Sequence, residues 1–433
     1  MSANESAEAM TDVDVVIIGA GLAGLAAGAV AAKAGRQVAV LDAHRPGGRA
    51  VTTEQHGVRF NQGPHALYRS GAGWSVLNGL GIDPRGGSPA IDRGSALLAG
   101  QLHPLPIRAR QLLTTPLLSA RSRVQVARVM TTITKIEPAT VADRNGAQWL
   151  DDLGLRPDAR ALLAALLRLS SYVADHDLVS ADVLVGQLQR SMAGVCYLDR
   201  GWQQLVDALT AVIVQHGGTI DAGRAVRALT HDGVRFVAHT DGGDVRGRAA
   251  VLAAGGPKAC ADLWAPTPAS WRGLGPDVTA ACLDIASRKA PTTPFVLGID
   301  EPTYFSNHCP PADLAPAGVS VLSVMRYRSA KETSEVDRDR RALTDLARRV
   351  GVERGEAVAS RYLHGMVVVH GLPSPSTGGL AGRPAVAVDG VDGLFVAGDW
   401  VGPVGWLADG SLASAEAAGH LAAAHAESTM SNE

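Results

Sequence analysis

The sequence predicts an α/β protein in which a Rossmann-like dinucleotide-binding domain is intertwined with a second domain of mixed sheet plus cap helices. Three observations predict it. The apolar run Val15-Val16-Ile17-Ile18 leads through Gly19-Ala20-Gly21-Leu22-Ala23-Gly24 and an alanine-rich stretch into a second apolar run, Val38-Ala39-Val40-Leu41-Asp42. Two more strand-like runs, Ala249 to Ala254 and Leu394 to Ala397, return much later in the chain. At 433 residues the chain is longer than one hydrophobic core usually serves, so it must divide.

The first unit reads as strand, turn, helix and strand in register. Gly19 permits the tight turn out of the strand, Gly21 lets backbone N–H groups approach a pyrophosphate, and Gly24 lets the helix lie close to the sheet. Leu22 and Ala23 open that helix, whose N-terminus faces the phosphate charge. Asp42 lies 23 positions after Gly19, near the spacing of about 20 at which an acid accepts a ribose hydroxyl. Ala43 follows it at the same edge. NAD and FAD share this adenylate half, so the motif alone leaves the dinucleotide open.

Two further segments narrow it. After Asp42 come Pro46-Gly47-Gly48-Arg49-Ala50 and Gly57-Val58-Arg59-Phe60-Asn61-Gln62-Gly63-Pro64-His65. Late in the chain stand Gly393 to Trp400 and Gly405-Trp406-Leu407-Ala408-Asp409-Gly410-Ser411. In these motifs, and in their order, the chain resembles the flavin amine oxidase and phytoene desaturase superfamily, which includes protoporphyrinogen oxidase. The resemblance implies bound FAD in a glutathione-reductase-like domain, and non-covalent binding is expected because no motif supplies an obvious histidyl or cysteinyl attachment beside the flavin ring. It implies that Gly47 and Gly48 lie along the pyrophosphate and ribityl chain with Arg49 as the cation over the phosphates, and that Gly63, Pro64 and His65 form a loop beside the flavin. It further implies that Gly398 and Asp399 hold the ribityl end. The helix opening at Leu407, Ala408 and Ser411 would turn its free N–H groups to the flavin N1 and O2 edge. Ala225 to Leu229 matches a second FAD-contacting segment in which Val226 meets adenine through its backbone, and Ala254 and Gly255 end the strand that returns to the cofactor. Asn61 departs from the family pattern, which usually has an acid there.

The chain divides into FAD-domain segments 1–77, 195–263 and 376–433 and substrate-domain segments 78–194 and 264–375. Gly94 to Pro106 reads as a hairpin ended by proline. Leu112 to Met130, broken at Pro116, then Gln148 to Leu153, Arg160 to Leu169 and Ala181 to Ser191 carry apolar residues at helical spacing and form the cap. Gly201 to Gly217 is a helix, and Phe295 to Asp300 and Gly318 to Met325 are strands of the substrate sheet. Asp337 to Val350 reads as a charged surface helix, and Ala413 to Ala426 is an alanine-rich tract.

Candidate chemistry rests on three side chains, each with a plainer reading beside it. Lys289, one of five lysines, stands where the superfamily's amine oxidases use a lysine to hold water at flavin N5, or is a solvated turn residue. Trp406, with Trp400, either walls the flavin or simply packs. His65 either moves protons near neutral pH or is a hydrogen-bonded loop histidine.

Composition excludes other classes. A net charge of −2 with dispersed arginines gives no nucleic-acid footprint, and 13 histidines and four cysteines without ligand spacing suggest no metal. The scattered thiols of Cys196, Cys260, Cys282 and Cys309 suit a cytoplasmic protein. Met1 to Asp12 reads as a polar, disordered lead without signal-peptide character, and no run is long and apolar enough to span a membrane. No second G-x-G-x-x-G follows Gly256, which points to electrons that come from the substrate and leave to dioxygen or a quinone. The expected reaction is desaturation of a small apolar substrate, with amine oxidation as the alternative and a non-redox isomerase or scaffold as a third reading. A homodimer, and contact with an anionic membrane through Arg108, Arg110, Arg121 and Arg123, are compatible with this pattern.

Overall fold

The computed structural model describes residues 10–333 and 335–431. Most of the expected polar lead, residues 1–9, lies outside them. Thr11 and Asp12 do not belong to such a lead, because β1 (Thr11–Ile18) already includes them. Their polarity is satisfied across the strand: Arg246 donates to both Asp12 carboxylate oxygens at 2.8 and 2.9 Å, a pairing that apolar patterning does not reveal.

β1 runs into α1 (Leu22–Lys33) and then β2 (Val38–Asp42). β1 pairs in parallel with β2, and on its other side with the strand Val245–Leu252. The strand Thr219–Ala222 extends this sheet beyond β2, Leu394–Val396 joins Val245–Leu252 in parallel, and an antiparallel pair closes the far edge. Three widely separated stretches of chain therefore build one sheet.

α1 has almost no polar face. Ten of its twelve residues, Ala23 to Ala32, are buried, because the helices Ala408–Met430 and Gln203–Gln215 pack against α1 in the same core that lies on the sheet. Small residues make that approach close: a Cβ at Gly419 would stand 2.7 Å from the Ala27 carbonyl oxygen. The alanine-rich tract is thus the inner face of a 23-residue helix, with Ala415, Ala418 and Ala422 fully buried.

The second sheet has the strand order Ala357–Val369, Val278–Ser287, Ser320–Arg328, Thr303–Cys309, Phe295–Gly298, Ser95–Leu98, Gln101–Pro104. On its outer face lies the helix Val336–Arg349, which sequence places at the surface. It is a surface helix whose inner side buries Leu343 and Leu346. Asp339 is also buried, within 3.0 Å of Arg326 and 3.7 Å of Arg328. The inner face is roofed by the cap helices, Ala120–Thr132, Gly146–Asp152, Pro157–Ser171 and Ala181–Met192 among them.

The turn between β1 and α1 has no slack. Gly19 has φ +108°, and a Cβ at Gly24 would lie 1.8 Å from the Gly19 carbonyl oxygen. Overpacking costs about 1–3 kcal/mol where side chains can yield, but here the obstacle is backbone. Gly24→Ala is expected to lower the thermal unfolding midpoint by roughly 5 °C or more, since 1 kcal/mol corresponds to about 2–4 °C even in larger domains. A circular-dichroism melt superimposable on wild type would contradict the packing described.

Candidate active site

A cavity of about 960 Å³ lies between the carboxyl ends of the first sheet and the inner face of the second. That is the upper end of the range, roughly 300–1,000 Å³, usual for small-molecule sites. At one end Gly19, Gly21, Leu22 and Ala23 line it with the free N–H groups of α1. Gly21 has an ordinary extended φ of −71°, and a Cβ there would meet no protein atom within 4 Å. Neither strain nor protein contact requires glycine there, and the bare backbone leaves open space at the cavity wall. Asp42 and Ala43 stand beside it on the wall. The Asp42 carboxylate accepts from the N–H groups of Ala20 (2.6 Å) and His44 (2.7 Å), which fixes its orientation toward the cavity. Val226, Ala254 and Gly255 line the same end.

The middle of the cavity is organised by Asp399. Arg49 approaches it at 2.8 Å and also donates to the Val368 carbonyl at 3.0 Å, while His370 donates through its backbone N–H (3.3 Å) and shares Nδ1 at 3.1 Å. Burial alone would push this carboxyl up, but the Arg49 guanidinium and the His370 hydrogen bonds hold it down at about 2. Arg49 thus pairs with a carboxylate rather than extending freely as the cation the resemblance implies. Gly48 and Gly398 line the cavity beside the pair. Gly47 (φ +120°) and Gly63 (φ +82°) lie just behind the wall, where a Cβ would strike Val51 at 2.8 Å and Met366 at 2.7 Å respectively. Gly24 is internal, as the turn geometry demands.

The helix Ala408–Met430 starts at the wall, with Leu407, Ala408, Asp409 and Ser411 lining the cavity. Its approach is braced by Arg383, a buried side chain that donates to the carbonyls of Asp399 and Gly405, each at 2.8 Å. The Asp409 carboxylate lies against the bare backbone of a second helix, Ala72–Gly79, accepting from Gly73 N–H at 2.9 Å. A Cβ at Gly71 would fall 2.2 Å from its other oxygen, which has no hydrogen-bond partner.

The remaining wall is apolar and aromatic. Met325 and Met366 come from adjacent partners of one strand, opposite Cys282 and Ala280, and therefore share the sheet's inner face. Pro64, Trp202 and Tyr172 complete it with His65. His65 meets Trp202 edge-on at 4.9 Å, and its Nδ1 is 3.1 Å from the Gly63 carbonyl. Burial lowers its pKa, so it is held neutral. Tyr172 ends the helix Pro157–Ser171 with φ +64°, a conformation costly for a side chain of its size. Sequence reasoning missed Tyr172, Met325, Met366, His370 and Arg383, and only the run of apolar residues before His370 hinted at a strand ending at the cavity.

Trp406 and Lys289 fall elsewhere. Trp406 is fully buried within the cap core, where its indole N–H donates to the Ser171 carbonyl at 2.8 Å. It anchors the residue before Tyr172 rather than walling the cavity. Trp400 packs edge-on against Trp271. Lys289 is half exposed and lies 3.4 Å from Glu356, beyond the end of its strand. Asn61 does not line the cavity; its side-chain oxygen accepts from Trp202 N–H (2.9 Å) and Thr52 hydroxyl (2.8 Å), an acceptor role that needs no acid.

Asp409 gives a pH signature. Burial raises its pKa from 3.8 to about 6, so between those values the folded state holds a proton that the unfolded state has released. Stability therefore falls as pH rises through this window, by roughly 3 kcal/mol when complete. Asp409→Asn keeps an acceptor for Gly73 and removes the ionisation. The variant is expected to be more stable than wild type at pH 8, with the difference vanishing near pH 4. Equal denaturant midpoints at both pH values would refute this.

With the geometry set out, comparison with known proteins identifies the family. Among solved structures, an oxidoreductase from Methanosarcina mazei superposes with a TM-score of 0.74 at 18% identity, covering 93% of this chain and 99% of that one. Cyclohexylamine oxidase from Brevibacterium oxydans IH-35A gives 0.69 at 18% identity, covering 96% and 99%. These likenesses show the fold. A local match to all-trans-retinol 13,14-reductase of Macaca fascicularis is 47% identical over 58 residues, 13% of this chain. The chain spans about a tenth of the length of the curated relatives it matches. No helix among the described residues is long and apolar enough to cross a membrane. The family described as flavin containing amine oxidoreductase matches residues 22–420, and the chain belongs to it.

Proposed function

We propose that this protein is an FAD-dependent oxidoreductase that desaturates an apolar organic substrate and passes the electrons to dioxygen or a quinone. FAD, when bound, supplies the hydride acceptor. In this reading the α1 N-terminus and Gly21 hold the pyrophosphate, and Asp42, beside Ala43, accepts a ribose hydroxyl. Val226, Ala254 and Gly255 border the adenylate half, while Gly48, Arg49, Gly398 and Asp399 hold the ribityl half. The N–H groups at Leu407, Ala408 and Ser411 provide a positive dipole end for the flavin ring. No cysteine is among the residues lining the cavity; His65 and His370 are engaged by protein partners, and His44 stands beside Asp42 at the adenylate end, which supports non-covalent binding.

The observation that carries the choice of substrate is the state of the cavity's acids. Three carboxylates line it, Asp42, Asp399 and Asp409. Asp42 accepts two backbone N–H groups, Asp399 is paired with Arg49, and Asp409 is turned to Gly73. None is left to neutralise an ammonium group, whereas Met325, Met366, Tyr172 and Trp202 suit a hydrocarbon. His65, whose pKa burial lowers, adds no fixed charge to this wall. The name of the locally matched reductase, which acts on all-trans-retinol, is consistent with redox chemistry at carbon on an apolar substrate. The domain segments 1–77, 195–263 and 376–433 would carry the cofactor, and 78–194 and 264–375 the substrate.

Two measurements test this reading. The purified protein is expected to be yellow and to release FAD on acid denaturation. Asp42→Ala and Asp399→Ala should each weaken FAD binding by about 1–3 kcal/mol, the scale of a charged hydrogen bond; full retention of FAD in both variants would remove the assignment. Under anaerobic conditions, apolar hydrocarbons with saturated, activated C–C bonds are expected to bleach the flavin while simple amines do not. Rapid bleaching by amines with later peroxide release would make it an amine oxidase, and a flavin reduced by no substrate would favour the isomerase or scaffold.

A further inference from the structure

Between Arg93 and Ile136 the chain contains no aspartate or glutamate, but seven arginines and lysines. Acids otherwise occur about once in ten residues, 42 in 433, so this stretch is a local excess of positive charge on a protein whose net charge is −2. After the edge hairpin Ser95–Leu98 and Gln101–Pro104 it folds into the helices Ala109–Thr114 and Ala120–Thr132 on the outside of the cap.

Five of the seven cations, Arg108 to Arg128, divide into two sets. Arg108 pairs with Asp92, and Arg123 is spent on the carbonyls of Leu113, Thr115 and Leu118, holding the two helices together. Arg110, Arg121 and Arg128 are exposed, and among the described residues none has a carboxylate partner. Arg121, Val124 and Arg128 follow one another at helical spacing and so share a face. Leu113 and Val124 are 70% and 69% exposed, near the maximum for large apolar side chains in this protein. Ile107 is exposed beside them, and a groove of about 320 Å³ runs between the helices, walled by Leu112, Leu113, Val124 and Ala127. The underside of the same layer, Leu118, Val126 and Met130, belongs to the hydrophobic cluster that reaches Tyr172, Met325 and Met366 at the cavity.

We infer that this face docks on an anionic phospholipid membrane. Leu113, Val124 and Ile107 would enter the boundary between headgroups and acyl chains, and Arg110, Arg121 and Arg128 would meet the lipid phosphates. The charge selects an anionic surface, and exposed apolar residues interleaved with the cations select a lipid over a purely polar polyanion. The helices lie in the plane of the bilayer and do not cross it. The inference does not depend on the substrate proposed above, because its test reads binding and not turnover.

The test is flotation of the full-length, FAD-containing protein with vesicles of phosphatidylcholine alone or of phosphatidylcholine and phosphatidylglycerol at about three to one. The protein is expected to float with the anionic vesicles only, and less so as salt is raised well above physiological strength. Arg110→Glu/Arg121→Glu/Arg128→Glu should weaken partitioning by at least about tenfold, given roughly 1 kcal/mol per basic residue at such a surface. Leu113→Glu/Val124→Glu should do the same. All five positions are exposed, and an unchanged flavin spectrum and melting temperature would show that each variant is folded. Wild type that stays with neither vesicle, or variants that float as well as wild type, would overturn the inference. So would loss in the arginine variant with none in the apolar one, which would instead indicate an acidic soluble partner.

Discussion

The arrangement around Asp399 depends on one ion pair. Arg49 comes from the turn after β2, His370 follows a strand of the second sheet, and Asp399 follows a strand of the first. Their meeting joins three distant parts of the chain on the wall of one cavity. With one carboxylate oxygen shared by Arg49 and the other by His370, its charge is compensated well enough to persist while buried. A cofactor hydroxyl bound there would join an existing network, so the protein presents a fixed acceptor instead of organising one on binding.

Rigidity at this centre extends outward through small residues and backbone. Gly19 and Gly24 allow the first turn to close on itself, and the alanines of α1 let the helix Ala408–Met430 lie against it. That helix consequently begins at the cavity, with Arg383 bracing its approach and Trp406 fastening it to the cap. Through Ser171, the same indole supports the strained turn at Tyr172. The aromatic wall thus depends on packing some distance from it. The cavity ends differ in kind: one offers N–H groups and compensated acids, the other thioethers and rings.

Sequence and structure agree best where function is written into local geometry. The G-x-G-x-x-G turn is legible because Gly19 and Gly24 answer to backbone requirements within a few residues, and Asp42 because β2 has a fixed length. For Lys289 and Trp406 the plainer of the two readings holds, because proximity to a motif or strand says nothing of where a side chain turns. Lys289 lies past its strand at the surface, and the positive φ of Leu407 sends the chain onward while Trp406 points into the cap. Asn61 departs from the family's acid, and its side-chain oxygen accepts from the Thr52 hydroxyl and the Trp202 backbone N–H.

The sequence by itself determined the βαβ unit, the kind of ligand its turn suits, the family, and a cap of helices with an acid-free, basic stretch. The βαβ unit and the cap follow from periodicity and spacing, which act over a few residues, the family from the resemblance of its motifs and their order, and the basic stretch from composition. Only the tertiary structure decided that Arg49 is tied to Asp399, that Asp409 is turned to a second helix, and that Tyr172, Met325 and Met366 face one space. Such contacts join residues far apart in the chain. Their partners are selected by strand register and helix packing, and no local pattern encodes the distance between two side chains that meet only when the sheets close on the cavity.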